Sequence, residues 1–204
     1  MTVTDIVELS KTRARVFLDN ETAFALYKSE IRKMNIKKDG ALSDERLRYI
    51  MDELLVKRAR LRCLNLLKSR DYTRHQLAGK LKQGFYPETV IENAIAYAAS
   101  YGYIDDVKYA KAYIKYAGSA KSKKQIINDL YKKGISKQDI ENAYMQCEEE
   151  NIIADEEELI EKLLVKKHYN RNASTFEERQ KIAAFLYRKG FSSDKIHKSV
   201  GLYE

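Results

Sequence analysis

Apolar positions recur along this chain with two different periods. Over residues 1 to about 26 they alternate: Val3, Ile6 and Val7, then Ala14, Val16 and Leu18, then Ala23, Ala25 and Tyr27. That spacing predicts two or three short strands, with Asp19-Asn20 as a turn between two of them. A ribbon this small is marginal alone and must pack on something. A short helix is expected from about Lys28 to Met34, then a loop at Lys37-Lys38-Asp39-Gly40. Ser43-Asp44-Glu45 opens another helix, with carboxylates where the macrodipole is positive. From there on the period is helical.

The helical part is punctuated three times in the same way. Thr73 with Gln76, Ser122 with Gln125, and Thr175 with Glu178 are capping boxes. In each, a hydroxyl accepts from a backbone N–H three residues on, and the longer side chain reaches back. Gly84, Gly134 and Gly190 follow, read as the left-handed residues that close these helices. An apolar residue comes next in each case: Phe85, Ile135 and Phe191. Six residues after each glycine stand Val90, Ile140 and Ile196, and ten after it Ala94, Tyr144 and Val200. Pro87 suits the start of the next helix, which Gly102 ends; Asp105 or Asp106 can cap its successor.

A further helix precedes each capping box. Its stripe is Ala59, Cys63, Leu66 and Leu67 in the first unit, and Ala110, Tyr113, Ile114 and Ala117 in the second. In the third it is Leu159, Ile160, Leu163 and Leu164, followed by a polar loop at His168 to Ser174. A three-helix unit of this size cannot bury its apolar surface alone, whereas stacked units can. The expected fold is therefore mainly α: three tandem three-helix repeats forming an elongated curved solenoid, preceded by a small N-terminal β-strand module. The expected boundaries are 1–42 for that module, then 43–104, 105–150 and 151–204 for the repeats.

Charge narrows the partner. A net charge of +8 and a pI near 9.2 point to nucleic acid or an acidic protein surface. Solubility alone is the competing explanation. Between Lys57 and Lys82 lie Lys57, Arg58, Arg60, Arg62, Lys68, Arg70, Arg74, Lys80 and Lys82, against Asp71 alone. A second group is Lys121, Lys123, Lys124, Lys132 and Lys133; a third is Arg179, Lys181, Arg188 and Lys189. If the repeats stack regularly, these side chains form a discontinuous stripe that can neutralise phosphates or pair with carboxylates. Lys57, Arg58, Arg62, Arg70, Arg74, Lys80, Lys82, Lys121, Lys123, Lys124, Lys132, Lys133, Arg188 and Lys189 are the candidate contact residues. A polar helix face turned to water is the alternative for any one of them. The acidic stretches Glu148-Glu149-Glu150 and Asp155 to Glu158 read as solvated helix faces.

Catalytic chemistry has no footing. His75, His168 and His197 stand apart, with no partner at metal or triad spacing. No phosphate-cradling glycine motif occurs. Cys63 and Cys147 lie far apart inside helices, as buried thiols of a reducing compartment do. No apolar run approaches the ~20 residues of a membrane span, and no secretory leader opens the sequence. The expectation is a cytoplasmic, monomeric protein that is not an enzyme and has no cofactor, metal or membrane partner. Of the 15 tyrosines, Tyr109, Tyr113 and Tyr116 share one helix face and Tyr97 and Tyr101 another. Such rings can stack on exposed bases, but core and inter-repeat packing is the more usual use.

These residues resemble the RecX family, regulators that inhibit RecA recombinase. The resemblance rests on Arg58, Ala59, Leu66 and Arg70-Asp71-Tyr72-Thr73, then Gln76-Leu77, Lys80-Leu81 and Gly84-Phe85. It continues through Gly102-Tyr103-Ile104-Asp105-Asp106, Tyr109-Ala110, Lys133-Gly134-Ile135 and Lys181, Phe185-Leu186, Arg188-Lys189-Gly190-Phe191. It spans residues 55 to 200 in order, and the stretch Phe17 to Leu26 is similar to a small extra module of some members. Gln76 stands where the family often has Glu, which still caps. The resemblance implies a non-enzymatic protein that binds in the groove of the RecA–DNA filament. There it hinders filament growth, ATP hydrolysis and strand exchange, with weaker backbone contacts to single- and double-stranded DNA. A general DNA-binding helical-repeat module without a recombinase partner is the alternative.

Overall fold

The computed structural model describes residues 1–19 and 21–201, without the side chains of Thr22 and Ala23. Of the expected Asp19-Asn20 turn, Asn20 lies outside the described residues, as does the side chain of Ala23, one of the alternating apolar positions. Three strands form an antiparallel meander: β1 (Val3–Glu8), β2 (Arg13–Leu18) and β3 (Glu21–Tyr27). Alternation decides the faces of β2. Ala14, Val16 and Leu18 are buried, while Arg13, Arg15 and Phe17 point the other way and are only half-buried. Helix α1 (Lys28–Lys33) follows directly.

The chain then enters α2 (Asp44–Arg48), which Ser43 caps by accepting from the Arg46 N–H. It continues without a break through a π-helical segment, Tyr49–Leu55, into α3 (Val56–Leu67). The buried positions register the change of winding. Ile50 and Leu55 are five apart, as i→i+5 bonding requires, whereas Leu55, Ala59 and Cys63 are four apart. Next come α4 (Arg74–Lys82) and α5 (Glu88–Ser100).

The chain divides into two compact units, Met1–Asp105 and Asp106–Glu204. In the first, strands and helices share one core: Val16, Phe24 and Leu26 lie in the same cluster as Leu55, Leu77, Leu81 and Ile91. Full burial of each such side chain stabilises by roughly 1.5–3 kcal/mol, so the ribbon and the first helical repeat support each other. The second unit holds α6 (Asp106–Ala117), α7 (Lys123–Lys132), α8 (Lys137–Glu149), α9 (Glu156–Lys166), α10 (Phe176–Arg188) and α11 (Ser193–Val200). It has two cores, one around Leu130 and Tyr144 and one around Ile160 and Leu186. Mainly helical with a small N-terminal sheet, the fold matches the class expected from sequence.

All three capping boxes are present, at Thr73/Gln76, Ser122/Gln125 and Thr175/Glu178. The closing residue needs one correction. Gly134 and Gly190 are left-handed, at φ +77° and +89°, but in the first repeat the left-handed residue is Phe85, at φ +60°, and not Gly84. The hydrogen bonds give the reason. Tyr86 N–H donates to the Leu81 carbonyl as Ile135 does to Leu130 and Phe191 to Leu186. Phe85 is thus the counterpart of Gly134, and Tyr86, not Phe85, the counterpart of Ile135. The same shift makes Ile91, not Val90, the partner of Ile140. Gly84 is glycine because of close approach: a Cβ there would lie 2.9 Å from the Tyr86 ring.

Candidate nucleic-acid interface

The outward face of β2 meets the end of α4 in the first unit. Arg13 donates to the Gly84 carbonyl at 2.8 Å, placing a cation at the negative end of that helix. The Arg15 guanidinium lies between two rings, 5.0 Å from the centroid of Phe17 and 4.7 Å from that of Phe85. This contact offsets part of the cost of holding Phe85 in a left-handed conformation. Beside it runs a groove of about 510 Å³ whose cations are Arg13, Arg58, Arg62 and Lys80. Among the described residues no carboxylate lines it; its other walls include Tyr27, Leu61 and Tyr86. Burial pushes the Tyr86 hydroxyl above its ordinary pKa, and Arg58, Arg13 and Arg62 pull it back.

The candidate residues of this unit differ in how free they are. Lys57, Arg62, Arg70, Arg74, Lys80 and Lys82 are exposed. Among the described residues Lys57, Arg62, Lys80 and Lys82 form no ion pair. Arg58 is used internally: it pairs with Glu30 of α1 and covers the Tyr27 ring at 4.6 Å. Arg70 lies 4.4 Å from the centroid of the Tyr72 ring.

In the second unit the cations are more heavily engaged. Lys121 donates to Asp129 at 2.6 Å and to the Tyr113 hydroxyl at 3.0 Å. Lys133 stands over Tyr109 and Tyr113. Lys123 covers Tyr144 at 4.7 Å and is 3.9 Å from Glu148. Its backbone N–H donates to Glu156 at 2.7 Å, so a carboxylate on α9 satisfies an open donor at the start of α7. Glu156 also accepts from Lys195 at 2.7 Å. Arg179 donates to the carbonyls of Gly201 and Arg171, tying the His168–Ser174 loop to the end of α11. Exposed and without an ion pair among the described residues are Lys124, Lys132 and Arg188, and Lys189 is half-buried beside Phe185. Lys124 and Lys123 line a second groove, of about 450 Å³, with Tyr187.

Sequence reasoning missed Arg13. The signal was available: the alternation that sends Ala14, Val16 and Leu18 inward sends Arg13 outward. For Tyr97 and Tyr101 it favoured packing over stacking on bases, and Tyr101 is 61% exposed. Tyr109 and Tyr113 do pack on the core around Leu130, whereas Tyr116 is exposed. His75 and His168 are exposed and His197 is half-buried. Among the described residues no group of three or more His, Cys, Asp and Glu side chains is placed to hold a metal ion. No described helix is long and apolar enough to cross a membrane.

Two stretches match family models: residues 59–97 match the first three-helix domain of RecX, and residues 155–200 the third. A regulatory protein RecX of Leuconostoc mesenteroides is 32% identical over 186 residues, covering 89% of this chain and 68% of that protein. The RecX of Caldanaerobacter subterraneus subsp. tengcongensis is 29% identical over 204 residues, 99% of this chain and all of its own. A crystal structure of regulatory protein RecX aligns over 98% of both chains, with a TM-score of 0.64 and 27% identity. The crystal structure of RecX from Lactobacillus salivarius aligns over 72% of this chain and 95% of its own, with a TM-score of 0.60 and 26% identity.

Proposed function

The chain belongs to the RecX family of regulatory proteins, and on that premise we propose that it binds the RecA–DNA filament in its groove and inhibits filament extension, ATP hydrolysis and strand exchange. The observation that carries this reading is the groove of the first unit, which no described carboxylate lines. Arg62 and Lys80 are exposed there with no ion pair to a described residue, and Arg13 and Arg58 stand beside them. Unpaired cations in such a groove attract a polyanion and release its counterions. Exposed Arg74, Lys82, Lys124, Lys132 and Arg188 extend the cationic surface. The protein acts as a monomer in the cytoplasm and transforms no substrate. DNA alone is a weaker partner, held through its backbone.

DNA-dependent ATP hydrolysis by the cognate recombinase tests this, with the protein titrated from substoichiometric amounts. Inhibition well below one protein per recombinase is expected. The variant Arg62→Glu/Lys80→Glu/Lys82→Glu should need about tenfold more protein, since each lost phosphate contact weakens binding and flattens its salt dependence by about one unit. Unchanged inhibition in that variant removes the groove from the contact surface. Naked DNA bound as tightly as recombinase-coated DNA would favour a general DNA-binding module instead.

A further inference from the structure

The end of α5 carries an arrangement that the basic surface does not use. Tyr97 lies in the last turn of α5 and Tyr101 just beyond it. Gly102, at φ +71°, turns the chain, and Tyr103 comes back beside Tyr101. The Tyr97 and Tyr101 ring centroids are 4.9 Å apart, tilted by 52°, and those of Tyr101 and Tyr103 are 6.1 Å apart at only 15° from parallel. The outer two rings stay in solvent: Tyr101 is 61% exposed and Tyr103 56%. Tyr97 is backed by Arg60, 4.4 Å from its centroid, and two hydrogen bonds to Asn93, at 3.1 and 2.8 Å, fix that guanidinium.

Rings held parallel and left wet are prepared for a flat partner. The core does not depend on them, because Ile104 and Ala98 anchor this turn by their own burial. Tyrosine presents a large, rigid surface with little conformational entropy to lose. Arg60 and Lys57 lie one turn apart on the same side of α3, and no carboxylate occurs from Lys57 to Lys68. A strand stacked on the rings would thus find cations for its phosphates nearby.

We propose that Tyr101 and Tyr103, backed by Tyr97 and Arg60, form a stacking platform for the unpaired bases of a single-stranded nucleic acid. Base faces stack on aromatic side chains whatever the sequence. In a duplex those faces are already occupied and only the edges are open. The platform therefore selects single strands and adds a base contact to the phosphate contacts of the groove. It rests on the reading above only for the class of partner.

The test contains no recombinase, so its failure leaves the filament reading standing. The full-length chain is titrated against a single-stranded oligonucleotide carrying a fluorescent adenine analogue. A duplex of the same sequence and an abasic strand with equal phosphates are run beside it. Tyr101→Ala/Tyr103→Ala should bind the normal strand about tenfold more weakly or worse, from the usual worth of stacking per base. Tyr101→Phe/Tyr103→Phe, which keeps the ring faces, should bind like the parent. Duplex and abasic binding should be the same for all three proteins. Equal affinity of parent and alanine variant for the normal strand overturns the proposal, as does an equal loss on the abasic strand.

Discussion

The Ser122 hydroxyl donates to the carbonyl of Lys189 across 2.7 Å, joining the start of α7 to the end of α10. The same oxygen accepts from the Gln125 N–H at 3.3 Å. One buried group thus closes a capping box and satisfies an otherwise open carbonyl of another helix. Gly190 permits the approach: a Cβ there would stand 3.0 Å from Ser122 Oγ and 3.2 Å from Lys124 Cβ. Replacement of Ser122 by alanine removes both bonds and is expected to cost about 1–2 kcal/mol. The midpoint of urea unfolding measures it, and an unshifted midpoint would show that neither bond matters.

Gly79, inside α4, and Gly84, just past its end, should respond to alanine in opposite directions. Gly79 lies on the exposed side of α4, and a Cβ there meets nothing within 4 Å. Gly79→Ala should stabilise by about 0.5–1 kcal/mol, because glycine is the more costly residue inside a helix. At Gly84 the new methyl would meet the Tyr86 ring at 2.9 Å and the Leu81 carbonyl at 3.1 Å. Gly84→Ala should destabilise by about 1–3 kcal/mol through overpacking. Thermal unfolding of the two variants gives both signs in one experiment. A stabilised Gly84→Ala protein would contradict the close approach.

Asp129 links stability to pH. Hydrogen bonds from Lys121 and then from Tyr113 hold its carboxyl below the ordinary value of 3.8. In return, the bonds to Asp129 and then to Tyr113 hold Lys121 above its ordinary 10.5. The depressed carboxylate contributes fully above its unfolded pKa, and that contribution is lost as pH falls through the folded value. The raised lysine contributes fully below 10.5 and loses its part as pH rises through the folded value. The pair is therefore complete from about pH 4 to about pH 10. Lys121 is 41% exposed, so solvent holds the pair to under about 1 kcal/mol. Asp129→Asn should be less stable than the parent by that amount at neutral pH, and the gap should close as pH falls through the lowered folded value. Urea midpoints of both proteins across that range decide it.

Helix and strand were legible because they are local. Thr73, Ser122 and Thr175 cap through backbone groups three residues away, so sequence spacing alone specifies the bond. Alternation in β2 likewise put Ala14, Val16 and Leu18 on one face before any partner was known. Reading failed by one residue at Phe85, because a bulky residue took the left-handed position that glycine fills in the other two repeats. The π-helical winding of Tyr49–Leu55 also left no mark that was read, although Ile50 and Leu55 already stood five apart.

Charge was the part that sequence counted but could not assign. It registered Arg58 and Arg62 alike as cations on one helix. Only packing spends the first on Glu30 and Tyr27 and leaves the second in a groove with Arg13, which lies 49 residues upstream. The tyrosines divided in the same way: Tyr113 went to Asp129, and Tyr101 to solvent beside Tyr103. By itself the sequence determined the repeated helical units, their caps and their excess of positive charge, since each depends on neighbours within a few residues along the chain. The tertiary structure alone decided which cations are neutralised and which rings stay wet, because those outcomes depend on groups that only folding brings within reach.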